Sequence, residues 1–329
     1  MRRYAALLTG GAMALAVQAS AFAADFEVDR CVNLGNALDA PSEGEWGHKI
    51  RRDYMNAIAA AGIDTVRLPV KWSAHTGEGP DYAIDEDFMA RVDEVIGWAM
   101  DEDLNVVLDV HHFDEIYEDP EGERAKLVAL WQQIGAHYAD APDSLVFEVL
   151  NEPREALSGE VMQSVLLEGL ATIRETNPER LVMLGGDQWN SIRGLPTIPA
   201  TPDDPNIVHT FHYYDPHAFT HQKASWAGMS DEDVDWGSAE ERAQLEADAD
   251  RAARHAEETG YPLFLGEYGV NGTAKSDVRI KWTEAVTAAM QDRGIATCPW
   301  AFTQTFPVWD NEANEWLPGM KEAILAGGE

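Results

Sequence analysis

The sequence predicts a single (β/α)8 barrel, on three observations. Eight short apolar runs alternate with helical patterns along 329 residues, with no linker rich in Pro, Ser or Gly and no short repeat. Nearly every run ends in a polar residue, as strands do where they feed a shared site at one end of a barrel. No Gly-rich phosphate loop follows the first run, which argues against an open doubly wound sheet, the alternative that such alternation allows.

Residues 1–23 read as a targeting segment. Arg2 and Arg3 form a basic start, residues 5–17 an apolar stretch, and Ala21-Phe22-Ala23 a cleavage site. That stretch is too short to span a bilayer, and no later one reaches the required length of about 20 residues. A secreted or periplasmic domain at 24–329 is expected. The first run, 31–37, is broken by Asn33, Gly35 and Asn36, and a loop through Asp39 and Trp46 follows it. A helix is expected at 51–61 and a strand at 65–70. Phe88, Val92, Val95, Ile96 and Ala99 share one face of a helix at 88–100. The third strand, 105–112, ends in His111-His112, and a helix is expected at 126–138. The fourth, 145–150, is apolar except for Glu148 and stops on Asn151-Glu152-Pro153, since proline cannot continue a ladder. A helix at 161–176 closes on Asn177-Pro178. Strand five is 181–184 and strand six 207–214, followed by a long loop and an acidic helix at 238–259. Strand seven, 262–269, carries Glu267. A helix at 277–290, strand eight at 295–302 and a short helix at 321–325 complete the chain.

The formal net charge is −34, and loss of the two arginines with the targeting segment takes it to −36. Such a field repels nucleic acid and anionic membranes and suits a neutral substrate. Acidity on this scale fits either salty surroundings or plain solubility. There are only two cysteines, Cys31 and Cys298. They fall on the first and last runs, which become neighbours when a barrel closes, so proximity is expected. Export permits a disulfide between them, with buried free thiols as the alternative.

The polar run ends are Asn36, Arg67, His111 and His112, Asn151 and Glu152, His212 and Tyr214, Glu267, and Trp300. One strand ending this way means little, but so many at one end point to a site. Two carboxylates dominate, Glu152 and Glu267, and a facing pair of acids is the machinery of glycoside cleavage. Arg67 can hold one of them ionised, and Tyr214 can donate to the same carboxylate. Asn151 can donate to a sugar 2-hydroxyl, and Trp300 offers a flat face to a ring. Trp46 is a further candidate for stacking. His111 and His112 beside Asp109 could suggest a metal. Strand alternation opposes both rings facing one way, and sugar contact is preferred. No cofactor is expected.

The chain resembles glycoside hydrolase family 5, the family of many endo-β-1,4-glucanases and β-mannanases. The likeness rests on residues 145–153 and on Gly266-Glu267-Tyr268-Gly269, with Arg67, His111, His212-Tyr213-Tyr214 and Trp300 in the expected order. It runs from about Asn33 to Phe302. A narrower likeness, through Asn33 to Gly47, His111-His112 and His212 to Trp226, is to a bacterial branch with enzymes active on glucan and mannan. The resemblance implies Glu152 as acid/base and Glu267 as nucleophile, with retention of configuration. It implies that Asn36, Asp39, His111, His112, His221 and Trp226 line sugar subsites, with His212 in support. Asp39 stands where that branch carries Glu, and Ala301 where some relatives carry an acid, so the sugar preference stays open. The activity expected is endo-acting cleavage of β-1,4-glucan, with β-mannan or mixed-linkage glucan as alternative substrates. A monomer acting on soluble or accessible chains is expected, since no separate carbohydrate-binding module fits. A non-catalytic glycan-binding barrel would lack one of the two carboxylates.

Three geometric expectations follow. The two carboxyls should lie about 5 to 5.5 Å apart, as retention requires. Arg67 should reach Glu267. The anion of Glu267 should raise the pKa of Glu152, so that Glu152 holds a proton to donate.

Overall fold

The computed structural model describes residues 27–201 and 203–328. The targeting segment lies outside the described residues. Eight parallel strands pair in sequence order: β1 (Cys31–Asn33), β2 (Thr65–Leu68), β3 (Asn105–Asp109), β4 (Leu145–Glu148), β5 (Val182–Gly185), β6 (Ile207–Tyr213), β7 (Leu263–Tyr268) and β8 (Ala296–Pro299). The ring closes between β8 and β1. Arg30 bridges Thr297, the Phe302 N–H donates to the Asn33 carbonyl at 2.8 Å, and Cys31 and Cys298 form a disulfide. This is the barrel that the alternation predicts. The expected proximity of the two cysteines holds, and of the two alternatives the bonded one is realised.

Register sorts the strand residues into two sets, because side chains alternate along a strand. Cys31, Val107, Val146, Met183, Val208, Phe264, Ala296 and Cys298 form one buried apolar cluster inside the ring. The same parity carries Asn33, Arg67, Asp109, Glu148, Thr210 and His212, two or four residues further toward the C-terminal ends of their strands. The barrel interior is therefore apolar at its base and polar at its top. The opposite set, with Val66, Leu108, Phe147 and Leu265, packs against the helices in the main core. On β7 the register slips: Phe211 pairs with Leu265 but His212 with Glu267, so Gly266 is an extra residue. This bulge turns Glu267 inward, where simple alternation from Phe264 would place it outward.

The surrounding helices are α1 (Arg52–Ala60), α2 (Glu86–Met100), α3 (Asp114–Glu118), α4 (Pro120–His137), α5 (Gly159–Thr176), α6 (His217–Thr220), α7 (Ala239–Thr259), α8 (Ser276–Gln291) and α9 (Met320–Ile324). The acidic α7 is held by a capping box between Ser238 and Glu241 and by Gly260, left-handed at its C-terminus. Two differences from the sequence expectation have local causes. The helix expected at 126–138 begins at Pro120, because Asp119 caps it by accepting from the Gly122 N–H at 3.0 Å and proline suits the first turn. The strands are shorter than the apolar runs because their polar ends leave the ladder for the site. A hairpin of β9 (Trp309–Asp310) and β10 (Glu315–Trp316) after β8 was not anticipated. Among the described residues no helix is long and apolar enough to cross a membrane.

Candidate active site

Four loops leave their strands through a left-handed residue: Asn36 (φ 66°) after β1, His112 (φ 46°) after β3, Glu152 (φ 45°) after β4 and Gln188 (φ 56°) after β5. Non-glycine residues adopt this conformation at a cost, and such strain concentrates at functional sites. The turn at His112 also undoes strand alternation, so His111 and His112 both line one cleft, their rings 4.4 Å apart edge to face. That cleft has a volume of about 530 Å³ and opens at the C-terminal ends of the strands.

Ten of the residues picked from the sequence line it: Asn36, Trp46, His111, His112, Glu152, Tyr214, His221, Trp226, Glu267 and Trp300. Trp300 stacks on His111 with centroids 5.4 Å apart, and its ring lies over Gly35, where a Cβ would come within 2.5 Å of a ring carbon. Trp46 and Trp226 are 41% and 64% exposed and stand at the rim. Gln304, Thr305 and Phe306, from the segment after β8, complete the lining and were missed. The aromatic-polar run that follows strand eight was the available signal.

Arg67, Asn151, His212 and Asp39 do not line the open cleft. Arg67 is fully buried beneath it and holds three carboxylates. It donates to Glu148 through Nε at 2.7 Å and Nη2 at 3.0 Å, pairs with Asp109 at 2.7 Å, and donates to Glu267 Oε1 through Nη1 at 2.7 Å. The expected reach to Glu267 is met directly. Nη1 and Nη2 also donate to Asn33 Oδ1 and Asn151 Oδ1, at 2.9 and 2.8 Å. Glu148 and Asp109 are inward-facing acids on strands otherwise apolar, and that contrast was the overlooked mark of their role. Burial raises the Asp109 carboxyl well above its ordinary value despite Arg67. Asn151 Nδ2 faces His111 Nε2 at 3.2 Å, which leaves one amide hydrogen free.

Asp39 is the correction among the expected subsite residues. It is fully buried. Its Oδ1 accepts from the Ala37 N–H at 2.7 Å, and its Oδ2 lies 3.8 Å from His112 Nδ1. The short side chain turns back to cap its own loop. His112 donates to the Asp39 carbonyl at 3.0 Å, so Asp39 backs the cleft rather than facing it.

The two acids meet at His212. Carboxylate oxygens of Glu152 and Glu267 and a ring nitrogen of His212 all lie within 4.8 Å of one another. The side chain of Glu152 is 21% exposed and that of Glu267 is 6% exposed. Tyr214 donates to Glu267 Oε2 at 3.0 Å, so both oxygens of Glu267 are held. His212 Nδ1 lies 2.8 Å from Glu152 Oε1 and 3.6 Å from Glu267 Oε2.

The charge balance differs from the sequence expectation. Burial raises the Glu152 carboxyl, but the His212 contact outweighs it, and Glu152 sits below its ordinary value. Burial holds Glu267 above the usual range, against the pull of His212 and Arg67. The expected rise at Glu152 reckoned with the anion of Glu267 and not with the imidazole between the two acids. As to metals, Glu152, His212 and Glu267 form one candidate group, and Asp39, His111 and His112 another. In the first the three atoms are already joined through His212. In the second both nitrogens of His111 have partners, Asp109 Oδ2 at 2.8 Å and Asn151. Neither set is an open cage.

Carboxylates this close serve a single bond placed between them, and the flat faces around them fit pyranose rings. The protein is a glycoside hydrolase on a (β/α)8 barrel. The model of the cellulase family, glycosyl hydrolase family 5, matches residues 31–305, and the chain belongs to that family. It is 35% identical over 268 residues to Endoglucanase H of Acetivibrio thermocellus, covering 82% of this chain but only 29% of that much longer protein. It is 31% identical to Endoglucanase A of Ruminococcus albus, over 85% of this chain and 80% of the relative. The crystal structure of endoglucanase Cel5A from Thermotoga maritima superposes with a TM-score of 0.88 at 36% identity, over 90% of this chain and 96% of that one. The T. maritima protein has also been solved with cellobiose and with mannotriose.

Proposed function

We propose that the chain is an endo-acting β-1,4-glucanase that cleaves by double displacement with retention. The observation that carries this is the close pair Glu152 and Glu267, of which Arg67 and Tyr214 hold Glu267 and not Glu152. Glu267 attacks the anomeric carbon as the glycosidic bond breaks, and its second oxygen stays on Tyr214. Glu152, the more exposed acid, donates a proton to the departing sugar oxygen. In the second step Glu152 removes a proton from water, which attacks the same carbon and frees Glu267. His212 orients Glu152. The remaining amide hydrogen of Asn151 is available to the sugar 2-hydroxyl, and Trp300 stacks a ring. The mechanism needs no cofactor.

The open cleft, with exposed Trp46 and Trp226 at its rim, suits attack within a chain rather than at its end. The relatives' endoglucanase names favour β-glucan over β-mannan as the backbone. An exported site of action fits the disulfide, since such bonds persist in oxidising compartments. The test runs carboxymethylcellulose, mixed-linkage glucan and galactomannan in parallel, with product length and the anomer first formed read by chromatography and NMR. Oligosaccharides of mixed length, born as β-anomers and faster from glucan, are expected. An α-anomer first, or single sugars released from chain ends, would overturn the proposal.

A further inference from the structure

We infer that Asn33 is a positioning residue for the nucleophile, and that it ties the catalytic ion pair to the covalent seam of the barrel. The inference rests on the assignment of Glu267 as nucleophile.

Asn33 ends β1 at the seam and is fully buried. Its amide has two sides with separate duties. Oδ1 accepts from Arg67 Nη1 at 2.9 Å, the same nitrogen that donates to Glu267 Oε1 at 2.7 Å. Nδ2 faces the other way, into the junction of β7 and β8. It donates to the Gly266 carbonyl at 2.8 Å, with the Cys298 and Pro299 carbonyls at 3.2 and 3.3 Å and Cys298 Sγ at 3.4 Å. Gly266 is the bulge residue that turns Glu267 inward. One buried amide therefore touches the guanidinium that holds the nucleophile, the bulge that aims it, and a sulfur of the Cys31–Cys298 bond. Asn33 and Cys31 lie two apart on the same inner face of β1.

A fixed guanidinium matters because Arg67 serves three acids: Asp109 on β3, Glu148 on β4 and Glu267 on β7. Without a neutral acceptor on Nη1 it can swing toward the other two, and an attacking oxygen that wanders loses rate. Facing Glu267 itself are Arg67, His212, Tyr214 and Glu152.

The test uses the whole enzyme on an aryl β-cellobioside with a good leaving group. Asn33→Ala should lower kcat about tenfold with KM within twofold, because positioning is lost and sugar contacts are kept. Asn33→Asp should move the acid limb of kcat/KM up by about one pH unit. A fourth carboxylate on Arg67 weakens its hold on Glu267, and the new anion disfavours a second. The pair Cys31→Ala and Cys298→Ala should lower kcat about threefold in the wild-type background and not at all in Asn33→Ala, while lowering Tm equally in both. If Asn33→Ala does not fold, Asn33→Ser gives the same cycle. An acid limb unmoved in Asn33→Asp, or a loss of kcat on removing the disulfide that is the same with and without Asn33, would overturn the inference. Trapping the wild type with a 2-fluoro glycoside and locating the label tests Glu267 separately: a label elsewhere sinks the assignment of the nucleophile, and with it this inference.

Discussion

His212→Ala should make the enzyme work at higher pH. In the wild type His212 Nδ1 stands 2.8 Å from Glu152 Oε1 and keeps that carboxyl below its ordinary value. Removing the ring leaves burial and the facing anion of Glu267, which favour the protonated acid, against the weaker pull of Arg154 and His112. At a separation of about 5 Å and an effective dielectric constant of about 20, two unit charges repel by about 3 kcal/mol. Water entering the space left by the imidazole screens part of this, so the carboxyl rises by less than the bare repulsion. Glu152 must be protonated to donate, so the basic limb of kcat/KM should move up, by about 1 to 2 pH units. kcat should fall about tenfold through lost orientation of the acid. The assay is kcat/KM against pH on carboxymethylcellulose and on an unactivated cello-oligosaccharide. A basic limb that stays put or moves down would refute the reasoning, because His212 would then not govern the acid. The two acids titrate as a coupled pair, so the limbs belong to the pair rather than to either residue.

Two further outcomes are expected. On an aryl cellobioside with an activated leaving group, Glu152→Ala should complete the first step and stall at the glycosyl-enzyme, giving a burst, while Glu267→Ala should show none; like behaviour of the two would reverse or void their roles. Stability should fall as pH drops below about 6.5, since His209 and His221 are held by burial down to about 3 and His48 to about 4. The unfolded chain takes up these protons and the fold does not, so each histidine costs about 1.4 kcal/mol per pH unit between about 6.5 and its folded value. His209 also lies 2.8 Å from His255 across the β6–α7 contact, and His209→Gln should flatten the slope of Tm against pH; an unchanged slope would count against this account.

Much of the barrel was legible because it depends on period and order. Apolar runs mark strands, helical spacing marks the helices between them, and polar run ends mark the shared face. The same logic brought Glu152 and Glu267, 115 positions apart, to one site, since only barrel closure can join strands four and seven. It also put Cys31 beside Cys298. What the sequence could not disclose were departures from period and the choice of partners. Glu267 faces inward only because Gly266 is an extra residue against β6. His111 and His112 share a cleft only because the chain turns left-handed at His112. Asp39 has the chemistry of a subsite residue, but its side chain is buried and turned back to accept from the Ala37 N–H. The protonation balance was decided by His212, because a charge responds to the nearest partner in space and no spacing along the chain states which that is.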